Sequence, residues 1–122
     1  MKAAYHLPGQ GGARGYTPFG VEQAKDAPVH DLKEFWHVGR ELPPGDPLNT
    51  AMAPNIWPAE IADFKAVSLA IYAAFENAGQ RILQAVAIAL GQQRDFFEPT
   101  VKQGNSVLRY LHYPPIGDAP AG

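Results

Sequence analysis

The chain has 122 residues, 46% hydrophobic and 18% charged, with a formal net charge of −2 and no cysteine. This is the length of one domain with enough apolar material for a modest core, so a disordered tail is excluded. Slight acidity argues against nucleic acid as the main partner, and the lack of cysteine excludes disulfides, thiolate metal sites and cysteine nucleophiles.

No run of about 18 apolar residues occurs, and the start Met1-Lys2-Ala3-Ala4-Tyr5-His6 has no signal-peptide core, so a soluble, cytoplasmic protein without a membrane partner is expected. Eight of the twelve prolines and seven of the twelve glycines precede Ala59. A loop-rich region is therefore expected over 1–58. That is long for irregular chain in a compact domain, where structureless loops rarely exceed about 12–15 residues.

The first element is a glycine-rich run, Gly9-Gln10-Gly11-Gly12-Ala13-Arg14-Gly15-Tyr16-Thr17-Pro18-Phe19-Gly20. Closely spaced glycines let backbone N–H groups approach an anion. Here the third glycine of a dinucleotide loop falls on Arg14, no Gly-Lys-Ser/Thr follows, and Pro18 works against a helix start. The run reads as a flexible rim loop, from which Arg14 and Tyr16 would reach an anionic substrate.

Residues 29–42 carry two competing signals. Asp31 with Glu34 three positions on has the form of a capping box, which favours a helix. Phe35-Trp36-His37-Val38 are good strand formers and Gly39 would end a helix early, so the balance tips to extended strand. Pro43-Pro44-Gly45-Asp46-Pro47 then forbids regular structure up to Asn55.

The strongest signal is a helix over about 59–90, with Pro58 at its N-terminal edge and Gly91 as its stop. At 100° per residue Ile61, Phe64, Ser68, Ile71, Phe75, Ala78, Ile82, Val86 and Ala89 fall on one stripe, expected to be core. Gly79 marks a close helix contact or a kink. A short helix over about 93–102 should follow, with Phe96 and Phe97 packing back on the long one.

Last comes a strand over about 105–113, running from a Gly104-Asn105 turn to a Pro114-Pro115 stop. Alternation sets Val107, Arg109, Leu111 and Tyr113 on one face and Ser106, Leu108, Tyr110 and His112 on the other. Both faces mix apolar and polar residues, so this strand needs cover on both sides. Ile116–Gly122 has loop composition.

No catalytic constellation is complete. None of His6, His30, His37 and His112 is followed two residues later by Asp or Glu, the start of a facial iron triad. There is no Gly-x-Ser-x-Gly elbow. Neither a catalytic residue nor a metal ligand is assigned.

Four blocks stand in a recognisable order: Arg14-Gly15-Tyr16-Thr17-Pro18-Phe19-Gly20, Asp31-Leu32-Lys33-Glu34-Phe35-Trp36-His37-Val38-Gly39-Arg40-Glu41, Asn55-Ile56-Trp57-Pro58, and Gly104 through Pro115. Together they resemble the isopenicillin N synthase-like family of Fe(II)- and 2-oxoglutarate-dependent oxygenases, over essentially the whole chain. The resemblance implies an α+β fold, part of a double-stranded β-helix (jelly roll), with an irregular first half over 1–58, a helical scaffold over 59–103 and the start of the jelly-roll core over 104–122. It implies an internal stretch of a larger enzyme, inactive alone and without bound cofactor, whose intact form uses Fe(II) and 2-oxoglutarate to hydroxylate, desaturate or cyclise a small molecule. The family's Tyr that donates its hydroxyl to a carboxylate of oxoglutarate or substrate matches Tyr113, a candidate cosubstrate-binding residue. Arg109 matches a commonly basic position, and Arg14 and Tyr16 lie near family substrate contacts, so all three are candidate substrate residues. Leu111 stands where the family often has Asn. The rival reading is a noncatalytic helical module that docks its apolar stripe on a partner chain.

Overall fold

The computed structural model describes residues 1–9, 12–115 and 117. Gln10 and Gly11 of the glycine-rich run, and most of the expected C-terminal loop, lie outside the described residues. The chain divides into two compact units: Met1–Ala59 with the chain from Val107 onward, and Glu60–Ser106.

The first unit is built on a three-stranded antiparallel sheet in the order β1 (Gly15–Thr17), β2 (Glu34–Gly39), β3 (Val107–His112). All six residues of β2 are buried, as its central position requires. The extended reading of this segment holds. The capping-box signal fails because Asp31 is engaged by the Lys33 ammonium at 2.7 Å, and Glu34 turns into the sheet. Two expectations are corrected. The rim loop contains strand β1, and the proline-rich segment contains a 3-10 turn at Pro47–Thr50, where Asp46 accepts from the Leu48 N–H at 2.9 Å and Pro47 tolerates the first-turn position. A second 3-10 turn covers Lys2–Tyr5.

Gly15 opens β1 with φ +73°, and a Cβ there would lie 2.7 Å from Ile56 and 2.8 Å from the Tyr5 carbonyl. The Asn55 side chain then braces the end of β2. Its Oδ1 accepts from the Gly39 N–H at 2.7 Å, while its Nδ2 donates to the Gly39 carbonyl at 2.9 Å and to Glu41 at 2.8 Å.

The second unit carries α1 (Phe64–Ala89) and α2 (Glu98–Val101). Helix α1 is about 39 Å long at 1.5 Å per residue. It begins five residues later than the periodicity indicates, after a turn closed by the Phe64 N–H on the Ile61 carbonyl at 3.1 Å. Its end is as expected. Gly91 takes φ +70°, and the Gln92 N–H returns to the Ala87 carbonyl at 2.9 Å.

The core stripe is corrected. Of the stripe, Ser68 is buried and Phe64 and Ile71 are half-buried, but Ile61, Phe75, Ile82 and Val86 are exposed, and the other buried residues of α1, Tyr72 and Ala87, lie off it. The Tyr72 hydroxyl reaches the Ser106 carbonyl at 3.0 Å, an attachment hydrophobic periodicity does not encode. Gly79 has open space where a Cβ would stand, so it marks no close contact. Helix α2 is one turn, shorter than the expected 93–102, because separate turns end at Phe96 and Glu98 before Pro99 permits a start. Phe96 is exposed and packs edge-on to Phe97 at 5.0 Å, while Phe97 lines a cleft with Leu83. The final strand is trimmed from 105–113 to Val107–His112. No helix among the described residues is long and apolar enough to cross a membrane.

Candidate functional site

The sheet sorts the candidate residues by parity. Register pairs His37 with Arg109, Phe35 with Leu111 and Thr17 with Phe35, which places these side chains on one face. Trp36 pairs with Tyr110 and Tyr16, and Glu34 with His112, on the other. Tyr113 follows β3 by one residue and is exposed.

On the first face Arg109 is the centre. Its Nε donates to His37 Nε2 at 2.5 Å, and its guanidinium lies 4.6 Å from the Phe35 ring centre. Nη1 stands 3.6 Å from Glu22 Oε1, an ion pair without a hydrogen bond. Lys33 binds Glu22 at 2.8 Å and Asp31 at 2.7 Å, so these acids and bases balance. His37 Nδ1 is 2.5 Å from the Gly12 carbonyl, and its ring centre is 4.5 Å from that of Phe35. Burial pushes the His37 imidazole below its ordinary value; the Gly12 carbonyl and Glu22 oppose this, and Arg109 and Arg14 add to it. An open cavity of about 430 Å³ borders this group, with His6, Leu7, Gly12, Thr17, Glu22 and Phe35 among its walls. The Thr17 hydroxyl is buried there with no hydrogen-bond partner.

The other face is organised by Glu34. Its carboxylate accepts from Lys2 Nζ, from the Tyr16 hydroxyl and, at 2.8 Å, from His112 Nδ1. Burial alone would push Glu34 up, but these three bonds outweigh it and bring the group down to about 2. Tyr16 is pushed up to about 12, by burial first and then by its bond to Glu34. A shallow cavity of about 290 Å³ touches Lys2, Tyr16, Glu34, Trp36, Tyr110 and His112.

The sequence-derived candidates therefore separate. Arg109 is partly exposed on its face of the sheet, and Tyr113, just past the end of β3, is open. Tyr16 and Arg14 are buried, Tyr16 on Glu34 and Arg14 with Nη1 on the Ala13 carbonyl at 2.7 Å. His37 and Glu34 went unrecognised as organising residues. The parity of His37 with Phe35 on an apolar strand was the available signal. Among the described residues no group of three or more His, Asp or Glu side chains is placed to hold a metal ion.

Residues 1–60 match the family model for the non-haem dioxygenase in morphine synthesis N-terminal region. A 2-oxoglutarate-Fe(II) type oxidoreductase of Aspergillus fumigatus is 32% identical over 118 residues, covering 89% of this chain and 35% of that protein. The crystal structure of a protein from Caulobacter crescentus, described as of the 2OG-Fe(II) oxygenase family, superposes with TM-score 0.83 at 56% identity, over 94% of this chain and 37% of that one. A Neurospora crassa protein, solved at full length in complex with alpha-KG and thymine, gives TM-score 0.71 at 28% identity, over 93% of this chain and 37% of that one. The chain spans about a third of the length of the curated relatives it matches.

Proposed function

Because the chain belongs to the 2-oxoglutarate–Fe(II) oxygenase family, we propose that it forms one wall of the active site of such an enzyme, of the isopenicillin N synthase-like branch, acting on a small molecule. The observation that carries this reading is the 56% identity to the Caulobacter protein across 94% of the chain. The three strands would be part of a jelly roll, and α1 part of its scaffold.

The described residues do not supply a ligand set for iron, so no step is assigned to the metal here. Bound Fe(II) and 2-oxoglutarate would supply the oxidising chemistry. This chain contributes binding and orientation. The exposed Tyr113 hydroxyl donates to a carboxylate oxygen of 2-oxoglutarate, and Arg109 offers a cation for a substrate oxygen. Arg14 and Tyr16 stabilise that wall from within, through Gly39 and Glu34.

The reading is tested by calorimetric titration of the full-length protein with 2-oxoglutarate under anaerobic conditions, with and without Fe(II). Metal-dependent binding at one site is expected. Absence of metal-dependent binding overturns it.

A further inference from the structure

We propose that His37 is a positioning residue: as a neutral imidazole protonated on Nδ1, it ties the Gly12 carbonyl and Arg109 to one ring, and so sets the direction from which Arg109 meets a substrate. The second half of this statement rests on the oxygenase reading; the first half stands on geometry alone.

The tautomer follows from the partners. Arginine has no acceptor and keeps its proton at any ordinary pH, so the 2.5 Å contact from Arg109 Nε requires a lone pair on His37 Nε2. The remaining ring proton then belongs to Nδ1, which faces the Gly12 carbonyl at 2.5 Å, a group that only accepts. Both nitrogens are thus committed in one arrangement. The ring that performs this is itself fixed: His37 is buried on the central strand and packs at 4.5 Å on Phe35, the same ring that lies under the Arg109 guanidinium.

What remains of Arg109 is the edge formed by Nη1 and Nη2. The nearest carboxylate oxygen, Glu22 Oε1, stays at 3.6 Å from Nη1, and Glu22 is held at 2.8 Å by Lys33 instead. With Nε anchored and the guanidinium carbon 4.6 Å from the Phe35 ring centre, that edge presents two parallel N–H groups, the geometry that suits a carboxylate or another paired-oxygen group. Serving this edge, and not contacting ligand, is the role assigned to His37.

Protonation would act on the two bonds unequally. A charged His37 has no lone pair for Arg109 but still donates through Nδ1 to Gly12. The charged groups around it are Arg109 on β3, Arg14 beside β1, and Glu22 with its partners Lys33 and Asp31. A third cation beside two arginines frees Arg109 and leaves Gly12 in place.

Nitrogen-15 NMR of the full-length protein tests this. Expected are a ring protonated on Nδ1 only, and an Arg109 Nε–H signal that moves with the His37 titration, below the ordinary histidine value of 6.5. In His37→Gln, whose side-chain oxygen still accepts, exchange of the Arg109 Nε–H should stay within about threefold of wild type; in His37→Leu it should speed up at least tenfold. Metal-dependent 2-oxoglutarate binding should be unchanged within twofold in both, showing that they fold. A ring protonated on Nε2, or an Arg109 signal indifferent to His37 titration or to His37→Leu, overturns the proposal. If His37→Leu does not fold, the wild-type titration decides alone. Loss of metal-dependent 2-oxoglutarate binding in the wild type overturns the oxygenase premise instead.

Discussion

The guanidinium of Arg14 occupies the space that a side chain on Gly39 would need: a Cβ built on Gly39 runs into Arg14 Nε, Cζ and Nη2. Arg14 is buried, and Gly39 closes strand β2 opposite Val107. The glycine leaves the volume that the buried guanidinium fills, and its φ is not in the left-handed region.

Gly39→Ala should displace the guanidinium and cost about 1–3 kcal/mol, the usual range for overpacking. Chemical denaturation of Gly39→Ala, Arg14→Ala and the double variant checks the cause. In the Arg14→Ala background the added cost of Gly39→Ala should fall by at least half. Strictly additive losses would show that Arg14 is not what the methyl group meets.

Glu34 predicts an acid-sensitive sheet. Its folded-state value of about 2 lies below the ordinary 4.5, so the unfolded chain takes up a proton first as pH falls. The stabilisation is complete above about pH 4.5 and is lost as pH drops through the folded-state value. At neutral pH Glu34→Gln should cost about 2–3 kcal/mol, since it removes the charge that holds Lys2, Tyr16 and His112 together. The same substitution should flatten the pH dependence of the urea midpoint between pH 4.5 and about 2. An unaltered slope would place the acid sensitivity elsewhere.

The reach of sequence reasoning follows the range of each interaction. Strand β3 was legible because its β-rich residues sit between a Gly-Asn turn and two prolines, and its parity put Arg109 and Leu111 on one face. The Gly91 stop of α1 is equally local. Strand β1 was not legible: three residues between glycines and Pro18 become a strand only by pairing with β2. The partners of Glu34 are 18, 32 and 78 positions away, and those of His37 are 25 and 72, beyond any periodicity. In α1 the apolar pattern marks residues capable of burial, but of that stripe only Ser68 is buried in this chain, and Tyr72 and Ala87, off the stripe, are buried with it.

Asn55 supplies both a donor and an acceptor to one residue, Gly39, where a neighbouring strand residue would otherwise do so. Asn55→Ala should cost about 2 kcal/mol, two hydrogen bonds at roughly 1 kcal/mol each. Amide exchange at Gly39 should accelerate more than at Trp36 in mid-strand. Asn55→Asp keeps the acceptor but puts a carboxylate where Nδ2 met the Gly39 carbonyl and Glu41, so it should be no more stable than the alanine variant. Unchanged Gly39 protection in Asn55→Ala would show that the sheet end holds without this brace.

Tyr113 separates binding from stability. At 62% exposure its hydroxyl contributes little to the fold, so Tyr113→Phe should leave the denaturation midpoint of the full-length protein within error. Its proposed partner is a carboxylate oxygen of 2-oxoglutarate, and a hydrogen bond to a charged group is worth about 1.5–3 kcal/mol. The dissociation constant for 2-oxoglutarate in the presence of Fe(II) should therefore rise roughly 10- to 100-fold, since about 1.4 kcal/mol is tenfold. Leu111 makes the effect larger, because that nearby position offers no side-chain polar group to share the carboxylate. Introducing such a group by Leu111→Asn should recover part of the loss in the Tyr113→Phe background. An unchanged dissociation constant in Tyr113→Phe would remove this hydroxyl from the 2-oxoglutarate site, while a parallel loss of stability would mean that it serves the fold.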